Sequence, residues 1–261
     1  MTRIPLILNV KITGMALQIT TLAERPEFAT SLFDMDHTWN EFMLQDPIAD
    51  LFYPFATTTY AEYVLVADDD ADPGRLVARA CMIPYLTGGS ELPDDGWDGV
   101  IRSGWLARER GARPDGISAL EITVRRDLQG TGLSSLMLAA MRDRAARLGY
   151  GELVAPVRPN RKHLEPHTPM TEYAFRTRSD GLPHDAWLRV HVRAGGKIVK
   201  VAPRSMVVTG TLEEWRGWTD LPFDRTGTIE VTGALSPVHC DVKHDHAVYV
   251  EPNVWVSHPL A

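Results

Sequence analysis

The chain has 261 residues, enough for one large domain or two small ones, and its 44% hydrophobic and 23% charged residues are ordinary for a soluble globular protein. Its 27 basic and 34 acidic residues leave a net charge of −7, which argues against nucleic acid as a partner and for a neutral or cationic small substrate. Two cysteines, Cys81 and Cys240, make no disulfide scaffold and fit a reducing cytoplasm, and no apolar run is long enough to predict a membrane span.

Residues 1–15 read as an extra strand, an arm or a leader; Lys11 interrupts the apolar start before a signal-peptide core can form. Leu17–Thr21 is the first predicted strand. From Glu24 to Asp50 apolar residues recur at partly helical spacing (Phe28, Leu32, Phe33, Met35, then Trp39, Phe42, Met43), with Pro47 and Pro54 as punctuation. Tyr63–Ala67 and Leu76–Tyr85 are predicted strands. The turn between them, Asp68–Gly74, is acidic but fails the EF-hand pattern, so a solvated hairpin is expected rather than a calcium loop. An acidic loop, Gly88–Gly96, precedes a helix over Trp97–Arg110 and a central strand over Ile117–Val124. A helix over 133–149 and a strand over 152–156 follow. Residues 157–185, rich in Pro and His, read as a long loop with a short helix near Met170–Phe175, a length that marks function or disorder. Trp187–Ala194 is a helix stopped by Gly195-Gly196. Ile198–Val201 and Met206–Val208 are strands, and Thr211 with Glu214 makes a capping box for a short helix ending at Trp218. Thr228–Val231 and Val248–Val256 are the last predicted strands.

The most informative segment is the junction of the central strand and the helix after it. Ile122-Thr123-Val124 runs into a glycine loop, Gln129–Gly132, and the helix starts at once with Leu133, Leu136, Met137, Ala140 and Met141. Amides converge at such a junction and the helix dipole favours an anion there. At Gly130 and Gly132 a Cβ would hold phosphate oxygens off those amides. The third glycine of a dinucleotide fingerprint is missing, and no Gly-Lys-Ser/Thr of a triphosphate loop occurs.

Gln129-Gly130-Thr131-Gly132-Leu133-Ser134 resembles the Gln/Arg-x-x-Gly-x-Gly/Ala signature of the GNAT superfamily of acyl-CoA N-acyltransferases, with Ser134 in the last place. The resemblance is good over 117–160, loose over 16–116 and 161–201, and absent beyond. It implies an α/β fold: a mixed, mostly antiparallel twisted sheet flanked by helices. Residues 16–205 would be the acyltransferase core, 1–15 an N-terminal arm or extra strand, and 206–261 a C-terminal β-rich extension packed on the core. It also implies acetyl-CoA or another acyl-CoA as donor, with no metal. The donor would be held by Arg125, Arg126, Gln129, Gly130, Thr131, Gly132, Leu133 and Ser134, with Asn160 where the family often carries an Asn. Free amides near Thr123 and Val124 would polarise the thioester. In the family a Tyr commonly lies four residues before a Gly-Phe pair; here His191 holds that place and Gly196 replaces the aromatic.

Acyl transfer from a thioester to an amine needs a base, a donor for the developing oxyanion and a proton for the leaving thiolate. Glu121 is the candidate base, because a carboxylate on a central strand is costly to bury without partners or a task. Strand alternation puts Glu121 and Thr123 on one face. His191 and Tyr173 compete as candidate acid. A basic patch at Arg158, Arg161 and Lys162 suits either the 3′-phosphate of CoA or an acidic carrier protein. His239, Cys240, His244 and His246 are plausible metal ligands, but their spacing matches neither Cys-x-x-Cys nor His-x-x-x-His, so a polar hairpin is expected. His163 and His167 have helical ligand spacing that Pro166 breaks; lining the acceptor pocket is the alternative role.

Three function classes remain open on these residues: an N-acyltransferase moving an acyl group, acetyl by preference, from CoA to a small-molecule amine by direct attack; a related enzyme taking the acyl group from a carrier-protein pantetheine arm; and a non-catalytic acyl-CoA-binding module. The segment 206–261 is too apolar for a tail. It would wall the acceptor pocket, form a homodimer surface, or serve as structural padding.

Overall fold

Apolar and β-branched runs joined by a short acidic turn form the hairpin around which the sheet grows: β3 (Val64–Asp69) and β4 (Asp72–Tyr85). The computed structural model describes residues 6–12, 14–37, 39–89 and 91–260. The further strands are β1 (Ile7–Ile12), β2 (Met15–Thr21), β5 (Gly116–Val124), β6 (Glu152–Val157), β7 (Lys197–Gly210), β8 (Gly227–Ile229), β9 (Val238–Asp241) and β10 (His246–Pro259). All ten belong to one sheet in the order β1-β2-β3-β4-β5-β6-β10-β9-β8, with β7 also pairing to β10. The pairs are antiparallel except β5 with β6, which are parallel and share a single register point, Ser118 opposite Val154. This is the mixed, mostly antiparallel sheet flanked by helices that the sequence implies.

Each face of the sheet carries its own core. On one lie α2 (Leu133–Arg147) and α4 (Ala186–Arg193), which bury Leu133, Met137, Met141 and Leu188 against even-numbered residues of β10 such as Val254 and Val256. On the other lie α1 (Gly96–Glu109), α5 (Leu212–Thr219) and the segment after β2, which bury Trp97, Ile101, Trp215, Phe42 and Phe52 against Cys81, Tyr249 and Trp255. A short helix, α3 (Met170–Tyr173), interrupts the long loop after β6. The capping box of α5 forms as expected, with Thr211 and Glu214 bonding reciprocally.

Residues 7–12 form an edge strand on β2, one of the alternatives open for 1–15; residues 1–5 and Thr13 lie outside the described residues. Several other elements differ from the sequence reading. The described residues of 24–50 form no α-helix but a run of 3₁₀ turns, Pro26–Ala29, Glu41–Gln45 and Pro47–Leu51, continued by Tyr53–Phe55. Pro26, Pro47 and Pro54 each sit at the start of a turn, and a proline has no N–H to extend a helical ladder through it. The two short strands expected near 198 and 206 are one strand, β7, whose register against β10 shifts between Glu251 and Asn253 and again between Trp255 and Val256. The expected break after Ser205 therefore falls inside a strand. The segment 206–261 is not packed on a finished sheet: its last strand, β10, lies between β6 and β9 and also pairs with β7. Among the described residues no helix is long and apolar enough to cross a membrane.

Candidate active site

The site begins where β5 and β6 part. Beyond Ser118 and Val154, β5 stays paired to β4 but has no partner on its other side. A bulge at Leu120 lies at this point, since Met82 faces Ala119 and Cys81 faces Glu121. One extra residue reverses which face odd-numbered side chains take. Ile117 and Ala119 join the core under α2, whereas Glu121 pairs with Cys81 on the opposite face, under α1 and the 3₁₀ segment. The Trp97 indole N–H of α1 donates to the Leu120 carbonyl at 3.3 Å, supplying a partner to the bulged residue.

Past the bulge the direction of the backbone groups follows from one bond. Arg125 N–H donates to Val77 O at 3.0 Å. In an antiparallel ladder alternate residues point at the neighbouring strand, so the amides of Glu121 and Thr123 face β4, and those of Ile122 and Val124 face the gap. Of the two amides expected near the thioester, Val124 is thus directed outward and Thr123 inward. The Thr123 side chain lies on the Glu121 face, and its Oγ1 is buried without a hydrogen-bond partner.

Glu121 has a dense set of partners. Arg79 Nε donates to its Oε1 at 2.7 Å, the Tyr53 hydroxyl donates to its Oε2 at 3.1 Å, and the Cys81 thiol lies 3.5 Å from Oε1. The Glu121 and Arg79 side chains are each only 5% exposed. Arg79 also donates through Nη1 to Leu32 O at 2.8 Å and packs its guanidinium over the Phe33 ring. Tyr53 packs against Phe33, Phe52 and Trp97. Burial, then the Glu121 charge, pushes the Tyr53 phenol and the Cys81 thiol well above their ordinary ranges, so both stay protonated. Burial alone would lower the Arg79 pKa; the charge of Glu121 and its hydrogen bond outweigh it, and the guanidinium stays charged. The carboxylate is therefore oriented on three sides. The sequence reading singled out Glu121 but missed Arg79 and Tyr53, although an arginine inside the run Val77-Ala78-Arg79-Ala80-Cys81 was a visible signal.

On the far side of the gap stands Arg158, just past β6. Val154 and Arg158 share parity, so Arg158 lies on the face that carries Glu121. Its Nε donates to Glu251 at 2.9 Å and its Nη2 to the Gly233 carbonyl at 2.6 Å. Glu251 is fully buried, and it also accepts from the Tyr249 hydroxyl at 2.8 Å and the Asn253 amide at 2.9 Å. Lys162 is not free for a phosphate: its ammonium is buried and bonds the carbonyls of Glu165, Pro166 and Leu235. Leu235 and Gly233 belong to the loop between β8 and β9, so this loop is tied to Arg158 and Lys162.

The loop expected to hold a phosphate is at the start of α2, on the opposite face. Gly130 and Gly132 have φ of 79° and 95°, a region that disfavours side chains, and Gly132, the N-cap of α2, has no side chain to satisfy the first-turn amides. Gln129, Gly130 and Gly132 are exposed, while Leu133 is buried and anchors the helix; Ser134 is half-buried in the first turn. Gln129 Nε2 reaches back to Val124 O at 3.5 Å, and Thr131 Oγ1 bonds Leu128 O at 2.7 Å, which brace the loop. Arg125 pairs with Asp127 at 2.6 Å, and exposed Arg126 lies 3.6 Å from Asp36. Asn160 is exposed beyond the end of β6. The uncapped first-turn amides and the two left-handed glycines suit a phosphate.

The two candidate acids do not meet Glu121. His191 is buried on α4, and its Nδ1 lies 2.9 Å from Nε2 of His258. Burial, then the nearby His258, lowers its pKa to about 3, so it is a neutral imidazole with no proton to give as a cation near neutral pH. Gly196 stands where the family has an aromatic because β10 is too close: a Cβ there would lie 2.6 Å from His258 Cε1. Tyr173 is buried and donates to Asp185 Oδ2 at 3.0 Å. Asp185 also caps α4, so Tyr173 braces the loop after β6. Burial, then the Asp185 charge, pushes its phenol up. Neither residue is placed to protonate a leaving group beside Glu121. His239–His246 is a hairpin between β9 and β10, with His244 bonded to Asp241 at 2.7 Å. His167 bonds exposed Glu230 at 2.7 Å. Among the described residues no group of three or more His, Cys, Asp and Glu side chains is placed to hold a metal.

No family model matches the chain. The arginine N-acetyltransferase avaD of Aspergillus versicolor is 30% identical over 276 residues, an alignment covering 95% of this chain and 94% of that protein. Among solved structures, the loading GNATL domain of CurA from Lyngbya majuscula superposes with a TM-score of 0.60 at 15% identity, covering 98% of each chain. The GphF GNAT-like decarboxylase, solved with isobutyryl-CoA, gives 0.53 at 16% identity, covering 91% of this chain and 97% of that one. At these identities the two structures speak to the fold alone.

Proposed function

Because the chain belongs to the GNAT superfamily of N-acyltransferases and transfers an acyl group to an amine, we propose that it moves acetyl from acetyl-CoA to the α-amine of arginine or a close analogue. The Aspergillus relative supports the acceptor. The observation that carries the chemistry is Glu121, a buried carboxylate oriented by Arg79 and Tyr53 at the edge of an unpaired stretch of β5. The nitrogen is chosen by proton affinity. An α-amine has a pKa of about 8 and a guanidinium at least about 12.5, a difference of about 6 kcal/mol that a carboxylate base does not bridge easily.

Acetyl-CoA, held by the cradle at Gln129–Ser134, supplies an activated thioester. The chain's own groups do the rest. The outward amides of Ile122 and Val124 are the donors available to a carbonyl oxygen in the gap. Glu121 accepts the proton that the acceptor ammonium must lose. The nitrogen lone pair then forms the new C–N bond as the C–S bond breaks; the sulfur leaves with that electron pair and takes up the surplus proton of the new amide nitrogen, so the products are the amide and free CoA thiol. No enzyme nucleophile takes part.

The test is acetylation of arginine by the purified protein, read by product mass and by released thiol. Glu121→Gln should lower turnover by about 10²-fold or more while acetyl-CoA binding holds. Acetylation of the guanidinium, or none of arginine, would refute the acceptor assignment; an unchanged rate in Glu121→Gln would remove it as base.

A further inference from the structure

Arg158 has a task that its structural bonds do not exhaust. Its partner Glu251 is fully buried, whereas the Arg158 side chain keeps 21% exposure, so of the two it is Arg158 that reaches the edge of the core. Two of the five N–H donors of the guanidinium are spent on Glu251 and Gly233, and the Tyr249 hydroxyl lies against it. Glu251 is itself saturated by Tyr249 and Asn253, which locks the fork in place. Arg158 lies four residues past Val154, and Glu121 three past Ser118 with the bulge at Leu120 between them, so the two face each other across the parting of β5 and β6, on the same face of the sheet. A phosphate of the donor belongs at Gly130 and Gly132, at the start of α2 on the opposite face. The cation that faces the acceptor side is thus a fixed planar fork, a geometry that matches a carboxylate.

We infer that Arg158 is a specificity-determining residue that binds the carboxylate of the acceptor, so that the substrate class is a free α-amino acid rather than an amine, ester or peptide. The inference rests on the acceptor reading above. A carboxylate on Arg158 and an α-amine toward Glu121 fix an amino acid by two points across the gap, and leave its side chain to the walls. Net neutrality of both ion pairs keeps this face from attracting anions in general; the fork selects by shape at one spot.

The experiment compares arginine with arginine methyl ester and with its decarboxylated amine, in the wild type and in two variants. Arg158→Lys keeps a charge for Glu251 but cannot fork to two groups. Arg158→Gln with Glu251→Gln removes both charges and leaves none buried alone. The wild type is expected to favour arginine over both blocked forms by about 10²-fold or more in kcat/KM. Both variants should lose that preference, because KM rises for arginine by a larger factor than for the ester or the amine. Equal use of arginine and its ester by the wild type overturns the inference. So does an equal loss on all three substrates in variants that melt like the wild type, which leaves Arg158 a structural ion pair. If arginine is not acetylated but another of the twenty amino acids is, the acceptor assignment fails while the same paired comparison on that amino acid still reads Arg158. Acetylation only of amines lacking a carboxylate, or of no amino acid at all, overturns it.

Discussion

At the scale of single residues, the proposed base Glu121 is held by side chains from distant segments: Arg79 from β4, Tyr53 from a 3₁₀ turn, Cys81 beside Arg79. His191 shows the opposite outcome. It looks like a proton donor in one dimension and is half of a buried histidine pair in three. The pair has a consequence for stability. Burial first, then His258, lowers the His191 pKa to about 3; burial first, then the charge of Arg142, lowers that of His258 to about 4. Both lie below the unfolded value near 6.5, so the unfolded chain takes up these protons first as pH falls. The stabilisation is whole above about pH 6.5 and is lost as pH drops toward 4 and below. Replacing both by glutamine, which can still bond across the pair, should flatten the fall in the denaturation midpoint between pH 7 and pH 4.5. A variant as acid-sensitive as the wild type would show that other groups cause the loss.

At the scale of elements, two backbone devices build the site. The bulge at Leu120 turns Glu121 to the face it shares with Cys81, and the left-handed glycines leave the first-turn amides of α2 uncapped by a side chain, the place proposed for a phosphate. Gly132 has φ of 95°, with Ile12 Cδ1 3.5 Å from where a Cβ would sit. Gly132→Asp therefore adds backbone strain of about 1 kcal/mol and a negative charge where the phosphate is proposed to bind. Acetyl-CoA affinity, measured by calorimetry, should fall by at least about 10²-fold, from like-charge repulsion and the blocked approach to the amides, while the protein stays folded. Unchanged affinity would move the phosphate site elsewhere.

At the scale of the whole molecule, the chain closes its sheet with its last strand. β10 pairs with β6, β7 and β9, and it carries Trp255 and Tyr249 to one core and Val254 and Val256 to the other. It also carries Glu251, which holds Arg158. Truncation after Ser205 cuts β7 in two and leaves an open edge on β6, so it should give insoluble protein. A soluble, active truncation, assayed by size exclusion and acetyl transfer, would show that the sheet can close without it. The segment after β7 also packs against the loop after β6, through the Gly233 and Leu235 carbonyls bonded by Arg158 and Lys162.

The sequence by itself determined what local rules control. The strand–glycine–helix junction at 117–149 is legible because its glycines, its apolar period and its capping are read within a few residues. The capping box at Thr211 is legible for the same reason, and so is Glu121, a charge inside an apolar strand. What only the tertiary structure decided is everything set by pairing across the chain. The helical spacing at 24–50 became 3₁₀ turns because prolines break the ladder and tertiary burial rewards the same apolar residues in another form. The central place of β10, the bulge at Leu120, the Arg79–Tyr53 clasp on Glu121 and the Arg158–Glu251 pair all depend on strand neighbours far apart in sequence. No local pattern encodes that choice, because the free energy that selects a register comes from packing both faces of the sheet at once.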